Sequence, residues 1–194
     1  MNVVLETDRL LLREFTAADV DNLVELDGDP EVMRFLNGGI PTPREVIEQR
    51  ILPGFLREYE QFEQFGVWAA IEKATGEFVG WFAFHPEPGG SPTEVTLGYR
   101  LRRSSWGRGY ATEGAWALVG NGFARLGVRR VSATTYQDNA GSRRVLEKLG
   151  MRLVRRYRMT ADDLAGESHH VTNPEDLWAG DDLEYALLAS DWRE

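Results

Sequence analysis

The first third of the chain contains one strand-like segment followed by stretches with a helical period. The apolar run at 9–14 predicts a short strand. Thr16 opens a capping-box pattern, and the apolar residues after it recur with the helical period, which predicts a helix. The pair Thr42–Pro43 predicts the start of another helix, and Pro53 predicts a break or kink within it.

From residue 66 onward, β-branched and aromatic runs alternate with two long helical stretches. Helical periodicity, with Gly or Asn at the boundaries, predicts helices at 110–126 and 139–149. This order of elements indicates an α/β (α+β) domain with about seven strands in its sheet and helices on both faces. The remaining predicted strands lie at 66–72, 77–85, 93–101, 130–136, 151–159 and 183–189.

The 194 residues fit a single domain, in which 160–182 is a polar, irregular insertion. The absence of cysteine excludes a disulfide scaffold, a thiol nucleophile and an iron–sulfur cluster. No apolar run approaches the roughly 20 residues that cross a bilayer. Charged residues interrupt the apolar clusters at the N-terminus, so we expect no signal peptide, no membrane partner and a cytoplasmic protein.

The net charge of −9 conceals a basic block inside an acidic protein. Residues 101–160 hold 13 basic and 3 acidic side chains, whereas 1–65 and 161–194 are strongly acidic. Such a block indicates a local site for a polyanion, and a solvated arginine face is an equally good interpretation of charge alone. A nucleic-acid partner is not expected, because domains that bind nucleic acid usually carry a net basic surface.

The segment 104–112, SSWGRGYAT, places two glycines between a predicted strand and a long helix. Glycine allows a tight turn and a close approach of the backbone to a ligand. The first amides of a helix lack internal partners, and they lie at the positive end of its dipole. The segment therefore predicts a cradle for a phosphate or diphosphate, with Arg102, Arg103 and Arg108 adding charge, although a simple helix start is the alternative. It matches neither the P-loop nor the dinucleotide fingerprint.

A second motif, NAGSRRVLEKLGM, begins at Asn139. Asn139 has the position of a helix N-cap, and Ser142 lies in the first turn, so both side chains should lie near the helix start. Capping alone would explain Asn139.

Together, WGRGYATEGA and NAGSRRVLEKLGM resemble the GCN5-related N-acetyltransferase (GNAT) superfamily. The opening TDRLLLREFTAAD and the closing LEYALLASDW resemble its ribosomal-protein N-terminal (Rim-type) branch, so that the resemblance extends over nearly the whole chain. It implies a mixed, mostly antiparallel sheet with a V-shaped split between two parallel strands, here 93–101 and 130–136. It also implies that acetyl-CoA is the co-substrate. No metal is expected, because the histidine pair at 169–170 shows no metal-ligand spacing.

The resemblance implies where acetyl-CoA binds. Its diphosphate is expected on the glycine loop and its pantetheine arm along the backbone of the strand that ends at Leu101. Asn139 is expected to contact the cofactor, and Ser142 to place a hydroxyl near the sulfur. With the basic side chains, the expected binding set is Tyr99, Arg100, Leu101, Arg103, Gly107, Arg108, Gly109, Tyr110, Ala111, Thr112, Asn139, Ser142 and Arg143.

The expected reaction is direct transfer of an acetyl group to an amine in a ternary complex, which needs a base for the amine and an acid for the thiolate. Many relatives carry a Tyr acid where this chain has Leu146, so Ser142 is the candidate acid, directly or through water. Many also carry a Glu where this chain has Thr96. Glu94, on the same face of that strand, is the candidate base, although a surface role is the simpler interpretation. Asp138 is a second carboxylate nearby or a turn residue.

The acceptor amine is left open by the sequence. The acidic segments suit a cationic amine or a basic peptide, although they also serve solubility. A protein N-terminal α-amine and a small-molecule amine are both compatible with the resemblance, and a homodimer is possible. His85 could act as a base, while His169 and His170 show no metal-ligand spacing. Two other functions remain open: a CoA-binding sensor or interaction module without turnover, and a binder of another phosphate ligand.

Overall fold

A computed structural model describes residues 2–62, 64–86, 89–158 and 180–193 of the protein. The strands in these residues form one sheet of eight strands. Its strands lie in the order β1-β2-β3-β4-β5-β6-β8-β7, and every neighbouring pair is antiparallel except β5 and β6. The strands are β1 (Val3–Glu6), β2 (Leu10–Glu14), β3 (Gly66–Glu72), β4 (Phe78–Pro86), β5 (Glu94–Leu101), β6 (Arg130–Tyr136), β7 (Arg152–Tyr157) and β8 (Asp182–Leu188).

Helices cover both faces of this sheet, as predicted. One face carries α5 and α6, and the other carries α1 to α4. The helices are α1 (Val20–Gly28), α2 (Pro30–Asn37), α3 (Arg44–Val46), α4 (Leu52–Gln61), α5 (Tyr110–Arg125) and α6 (Ala140–Lys148). This arrangement confirms the predicted α/β (α+β) class.

A π-helical segment, Ile47–Ile51, joins α3 to α4 where the sequence predicts a break or kink. The N–H of Leu52 donates to the carbonyl of Ile47, five residues earlier. Because Pro53 has no N–H to donate, the helix loses one regular bond there. The wide π turn directly before the proline keeps the helical path continuous in spite of that loss.

The strand β1 is an element that the sequence analysis did not predict. It forms one edge of the sheet and pairs antiparallel with β2. Val3 and Val4 are both exposed, so the segment buries little apolar surface and shows no clear alternation. The predicted polar insertion lies largely outside the described residues, as do His169 and His170, while Asp182 at its end begins β8.

Close packing of α5 on β4 depends on glycines in the helix. A Cβ built on Gly114 would overlap the ring of Phe82, and one on Gly122 would lie 2.6 Å from Phe84 Cζ. Both phenylalanines are fully buried. The helix therefore lies nearer to the sheet than alanine at these positions would permit.

Gly114→Ala should destabilise the fold by about 1–3 kcal/mol, because the added methyl group forces the packed Phe82 ring to move. Gly120→Ala is the matched control in the same helix, since its Cβ would meet Trp192 at an ordinary 3.6 Å. That control should stabilise by about 0.5–1 kcal/mol through helix propensity. Urea unfolding of both variants measures the difference. Equal effects would show that α5 does not press on β4 as described.

Candidate functional site

A tight turn with two left-handed glycines precedes α5. Gly107 has φ of 71° and Gly109, the N-cap of α5, has φ of 86°, values that side chains rarely tolerate. The first intrahelical bond runs from the N–H of Glu113 to the carbonyl of Gly109. The amides of Tyr110, Ala111 and Thr112 therefore lie before the helical ladder begins and have no intrahelical acceptor. The turn therefore has the unpaired amides that the predicted anion cradle requires, and anion binding there stays a prediction.

Charge at the turn is more balanced than the sequence suggests. Arg108 is paired with Glu72 at 2.7 Å, and its guanidinium carbon lies 4.8 Å from the centre of the Tyr110 ring. The Tyr110 hydroxyl also donates to Glu72. Hydrogen bonds from Tyr110 and Thr75, helped by the Arg108 charge, lower the pKa of Glu72. The bond to Glu72 in turn raises the pKa of Tyr110, so the cluster holds a carboxylate and a neutral phenol.

The other arginines predicted near the turn have different surroundings. Arg102 pairs with Glu25 at 2.7 Å, which fixes it to α1. Arg103 is exposed in the 3₁₀ turn Arg103–Ser105 and forms no ion pair with the described residues. Of the three, Arg103 keeps its charge uncompensated beside the cradle.

β5 and β6 form the split that the resemblance implies. Their parallel pairing is confined to Glu94–Thr96 and Arg130–Ser132, although both strands continue beyond these residues. Past the last pair, Thr96 and Ser132, the strands separate and leave main-chain groups without a strand partner. A V-shaped opening therefore lies between the ends of β5 and β6.

The alternation of β5 decides which main-chain groups face the opening. The N–H of Arg102 donates to the carbonyl oxygen of Val79, which lies in β4. In an antiparallel ladder the main-chain N–H and C=O groups of alternate residues point to the same side. The main-chain groups of Arg100 therefore also point toward β4, whereas those of Leu97 and Tyr99 point toward the split. Arg100 was predicted to bind the cofactor, yet its side chain is also turned away and pairs with buried Asp27 at 2.6 Å. Leu101 is buried, and its carbonyl accepts from the Trp106 indole at 2.8 Å.

Tyr99 joins β5 to α6 across the opening. Its hydroxyl lies 3.0 Å from Ser142 Oγ and 3.3 Å from the Ser142 carbonyl oxygen. Burial raises the pKa of Tyr99 to about 12, although the bond to Ser142 opposes the shift. The phenol therefore stays protonated near neutral pH and is available as a donor. The sequence analysis gave Tyr99 only a backbone role, and no local pattern shows that its side chain reaches Ser142.

The start of α6 holds the other residues of the second motif. Asn139 Oδ1 accepts from the Ser142 N–H at 3.1 Å, so its predicted capping role is confirmed. Arg143 donates to the Gln137 carbonyl at 3.2 Å and to the Tyr185 hydroxyl at 3.4 Å. The guanidinium of Arg143 is thus held between α6 and β8.

The opposite face of the opening, toward α2, carries an aromatic pair and a carboxyl group. The rings of Phe35 and Tyr136 are stacked with centroids 6.0 Å apart. Tyr136 is the register partner of Asp182 on β8, so the two side chains share this face. Burial, together with the charge of Asp181, raises the pKa of Asp182. This face is thus separate from the cradle on the α5 side.

The turn, the split and the hydroxyl pair lie within the part of the chain that matches a known family. The family model described as "Acetyltransferase (GNAT) domain" matches residues 9–152. The chain belongs to the GNAT family of acetyltransferases. The match includes the glycine turn, both strands of the split and Ser142, so these features belong to the shared domain.

Named relatives agree with this assignment to the GNAT family. The chain is 33% identical over 150 residues to the uncharacterized N-acetyltransferase YoaA of Bacillus subtilis, covering 76% of this chain and 81% of that protein. It is 31% identical over 187 residues to an FsC-acetyl coenzyme A-N(2)-transacetylase of Aspergillus fumigatus, covering 93% and 71%. The solved structure of RimL, a ribosomal L7/L12 alpha-N-protein acetyltransferase in complex with coenzyme A, has a TM-score of 0.75 at 18% identity, covering 96% and 98%. The protein is an N-acetyltransferase by family.

The GNAT fold places the remaining catalytic candidates at different depths. Leu146 is buried in the core, so the position of the missing Tyr acid is filled by packing. Glu94 is exposed at the first residue of β5, at the closed end of the V and about 10 Å along the strand from Leu97. Asp138 is exposed in the turn before α6. The structure therefore does not bring Glu94 together with Ser142.

Clusters of metal ligands and membrane-spanning helices are both absent from the residues that the structure describes. No three His, Asp or Glu side chains among them lie together as a metal site would require. No helix in the same part of the chain combines the length and apolarity needed to cross a membrane. The absence of metal and the cytoplasmic location stay predictions.

Proposed function

We propose that this GNAT protein transfers the acetyl group of acetyl-CoA directly to a primary amine in a ternary complex. The observation that carries the proposal is the Tyr99–Ser142 hydroxyl pair, which joins β5 to α6 beside the V-shaped opening, in a domain that also holds the glycine turn before α5. These features give one face for an anionic carrier and an opposite face for an acceptor.

The residues present fit coenzyme A. The amides of Tyr110, Ala111 and Thr112 suit a diphosphate, since helix N-termini bind anions through unpaired N–H groups. A Cβ at Gly109 would lie 3.3 Å from an arginine nitrogen, so the absent side chain leaves the turn open. The main-chain groups of Leu97 and Tyr99 face the split and suit the amides of a pantetheine arm.

Bound acetyl-CoA would supply the thioester that reacts with the amine. We propose the Ser142 hydroxyl as the donor of a proton to the departing sulfur. The Tyr99 phenol, neutral near pH 7, would donate a hydrogen bond to the Ser142 oxygen as that proton leaves. An N–H of β5 facing the split would stabilise the oxyanion on the carbonyl. The proton that the attacking amine loses would pass to solvent, and a proton from solvent would restore the Ser142 hydroxyl, so that the protein returns to its starting state.

We assign the acceptor amine to the face that carries Phe35, Tyr136 and Asp182. Stacked aromatic rings attract a cation, and a carboxylate pairs with a protonated amine. Both an N-terminal α-amine, as the name of RimL indicates for that enzyme, and an amine of another kind, such as the N(2) nitrogen in the name of the fungal relative, satisfy this chemistry. Glu94 stays a candidate base that would have to act through water, given its place at the closed end of the V.

The function is tested by calorimetry with acetyl-CoA and by thiol release over a panel of amines and N-terminal peptides, with products identified by mass. Binding followed by acetylation of any amine supports the proposal. The alternative, a CoA-binding module without turnover, is favoured by the buried Leu146 in place of an acid. Binding with no thiol release over the whole panel would establish that alternative.

Ser142→Ala should lower kcat by about 10²–10⁴-fold with little change in acetyl-CoA affinity, because it removes a positioned proton donor. Tyr99→Phe keeps the ring and should lower kcat less, since Ser142 remains. Steady-state kinetics with the best amine of the panel, combined with calorimetry, separates the two parameters. An unchanged kcat in Ser142→Ala would show that Ser142 is only part of the first turn of α6 and has no role in proton transfer.

A further inference from the structure

The opening segment TDRLLLREF has no role in the proposed chemistry, yet it contacts the glycine turn. Arg9 Nη1 donates to the carbonyl oxygen of Arg108 at 2.9 Å. Its guanidinium carbon also lies 4.6 Å from the centre of the Tyr110 ring. Arg9 is thus 99 residues away in sequence and in direct contact with the cradle.

Arg9 is itself held in place by α5. Its Nε donates to Glu113 Oε2 at 2.6 Å and its main-chain N–H donates to Glu113 Oε1 at 2.9 Å. Thr7 Oγ1 donates to the same Oε1 at 2.5 Å. Burial raises the pKa of Glu113, but these hydrogen bonds outweigh it and the net pKa is lowered, so Glu113 is ionised near neutral pH. The guanidinium therefore has a fixed position below the turn.

The bond from Arg9 fixes the direction of one amide. The carbonyl of Arg108 and the N–H of Gly109 belong to one planar trans peptide, so they point in opposite directions. Because Gly109 accepts φ of either sign, this peptide could otherwise flip at low cost. By holding the carbonyl on its own side, Arg9 directs the Gly109 N–H to the opposite side.

We infer that Arg9 is a positioning residue, which presents the Gly109 amide to the diphosphate of coenzyme A by holding the carbonyl of Arg108. The inference rests on the proposed function, since it assumes that the diphosphate occupies the turn. It gives the opening segment Thr7–Arg9 a place in cofactor binding. Arg9 acts through the backbone of the turn and transfers no proton.

Two substitutions test this role by isothermal calorimetry with CoA. Arg9→Gln removes the charge and the fork, and Arg9→Lys keeps the charge but cannot hold Glu113 and the Arg108 carbonyl together in one plane. Both should bind CoA about 10- to 100-fold more weakly, the equivalent of losing one hydrogen bond to a charged group. Arg44→Gln, which changes an exposed arginine of α3, should bind as the unmodified protein does.

Two readouts exclude a merely structural effect. 3′-Dephospho-CoA keeps the diphosphate and should lose affinity by the same factor, whereas KM for S-acetylpantetheine, which has no diphosphate, should stay within about twofold. In ¹⁵N-glycine-labelled protein, CoA should shift the Gly109 amide resonance strongly, and this shift should shrink in Arg9→Gln. Because Arg9 is half exposed, both variants should unfold at nearly the original urea concentration.

The outcomes are distinguishable. Equal CoA affinity in Arg9→Gln and the unmodified protein overturns the inference and leaves the proposed function intact. If Arg9→Lys keeps the full CoA affinity, only the charge of Arg9 matters, and the inference is overturned. If KM for S-acetylpantetheine rises by the same factor as the CoA affinity falls, Arg9 only supports the fold, and the inference is likewise overturned. No CoA binding by the unmodified protein overturns both the inference and the proposed function.

Discussion

Gly109→Trp should weaken acetyl-CoA binding by about 100-fold or more. The φ of 86° costs a side chain about 1–2 kcal/mol, and a Cβ would lie 3.3 Å from Arg9 Nη2, so the backbone strain and the crowding of Arg9 both favour a rearranged turn. Rearrangement misaligns N–H groups that each contribute about 1.5–3 kcal/mol when they bond to an anion. Isothermal calorimetry on the purified variant measures the loss directly.

Gly127→Trp is the matched control for that variant. Gly127 also has a positive φ, 70°, and a Cβ there meets nothing within 4 Å. It lies past the opposite end of α5, roughly 25 Å from Gly109 along the helix. The control should carry similar backbone strain and keep its affinity. If Gly109→Trp binds acetyl-CoA as tightly as the control does, the diphosphate does not lie on this turn.

Asp27→Ala should destabilise the fold by about 3–5 kcal/mol, the usual cost of leaving a buried charge without its partner. Asp27 and Arg100 are 1% and 7% exposed and their charged atoms lie 2.6 Å apart, so the arginine cannot turn to water. The pair joins α1 to β5 next to the split. Urea unfolding followed by tryptophan fluorescence measures the change.

Two comparisons make the Asp27 prediction specific. Asp21→Ala breaks an ion pair with Arg44 at the surface, where Asp21 is 85% exposed, and should cost at most about 1 kcal/mol. The double variant Asp27→Ala, Arg100→Leu removes both buried charges and should be more stable than Asp27→Ala alone. A double variant that is less stable than the single one would show that Arg100 has a second role.

Both predictions concern residues whose importance comes from packing around β5. Arg9 lies next to Gly109, so a side chain at that position would crowd the turn. The side chain of Arg100 does not face the split, because it pairs with Asp27 of α1. The odd-numbered and even-numbered residues of β5 consequently lie on opposite faces of the sheet and have different contacts. The Tyr99 side chain contacts Ser142 beside the split, and the Arg100 side chain contacts Asp27 in the fold.

Much of the fold could be predicted from local patterns. The strands at Gly66–Glu72 and Arg130–Tyr136 coincide with the predicted runs, because both segments are rich in apolar or β-branched residues, which favour strands. The exposed edge strand β1 carried no such signal. The π-helical turn before Pro53 was predicted only as a break or kink, since periodicity shows that a helix is disturbed without showing how.

The candidate site was predictable to a different degree. The glycine turn and the Asn139 cap depend on backbone conformation, which neighbouring residues specify, and both are seen where predicted. The partners of Arg108 and Arg100 were not predictable, because an ion pair depends on which carboxylate the fold brings near.

The motifs of the sequence carry the resemblance to the GNAT family. The sequence by itself also determined the turn before α5 and the order of most elements, without β1. These follow from short-range spacing and from backbone preferences, which act between residues close in the chain. Only the tertiary structure decided that Tyr99 reaches Ser142, that Glu94 lies at the closed end of the V and that Arg9 holds the peptide before Gly109. Such contacts join residues far apart in sequence, and hydrogen bonds of a few ångströms exist only after the sheet has fixed the distance between its strands.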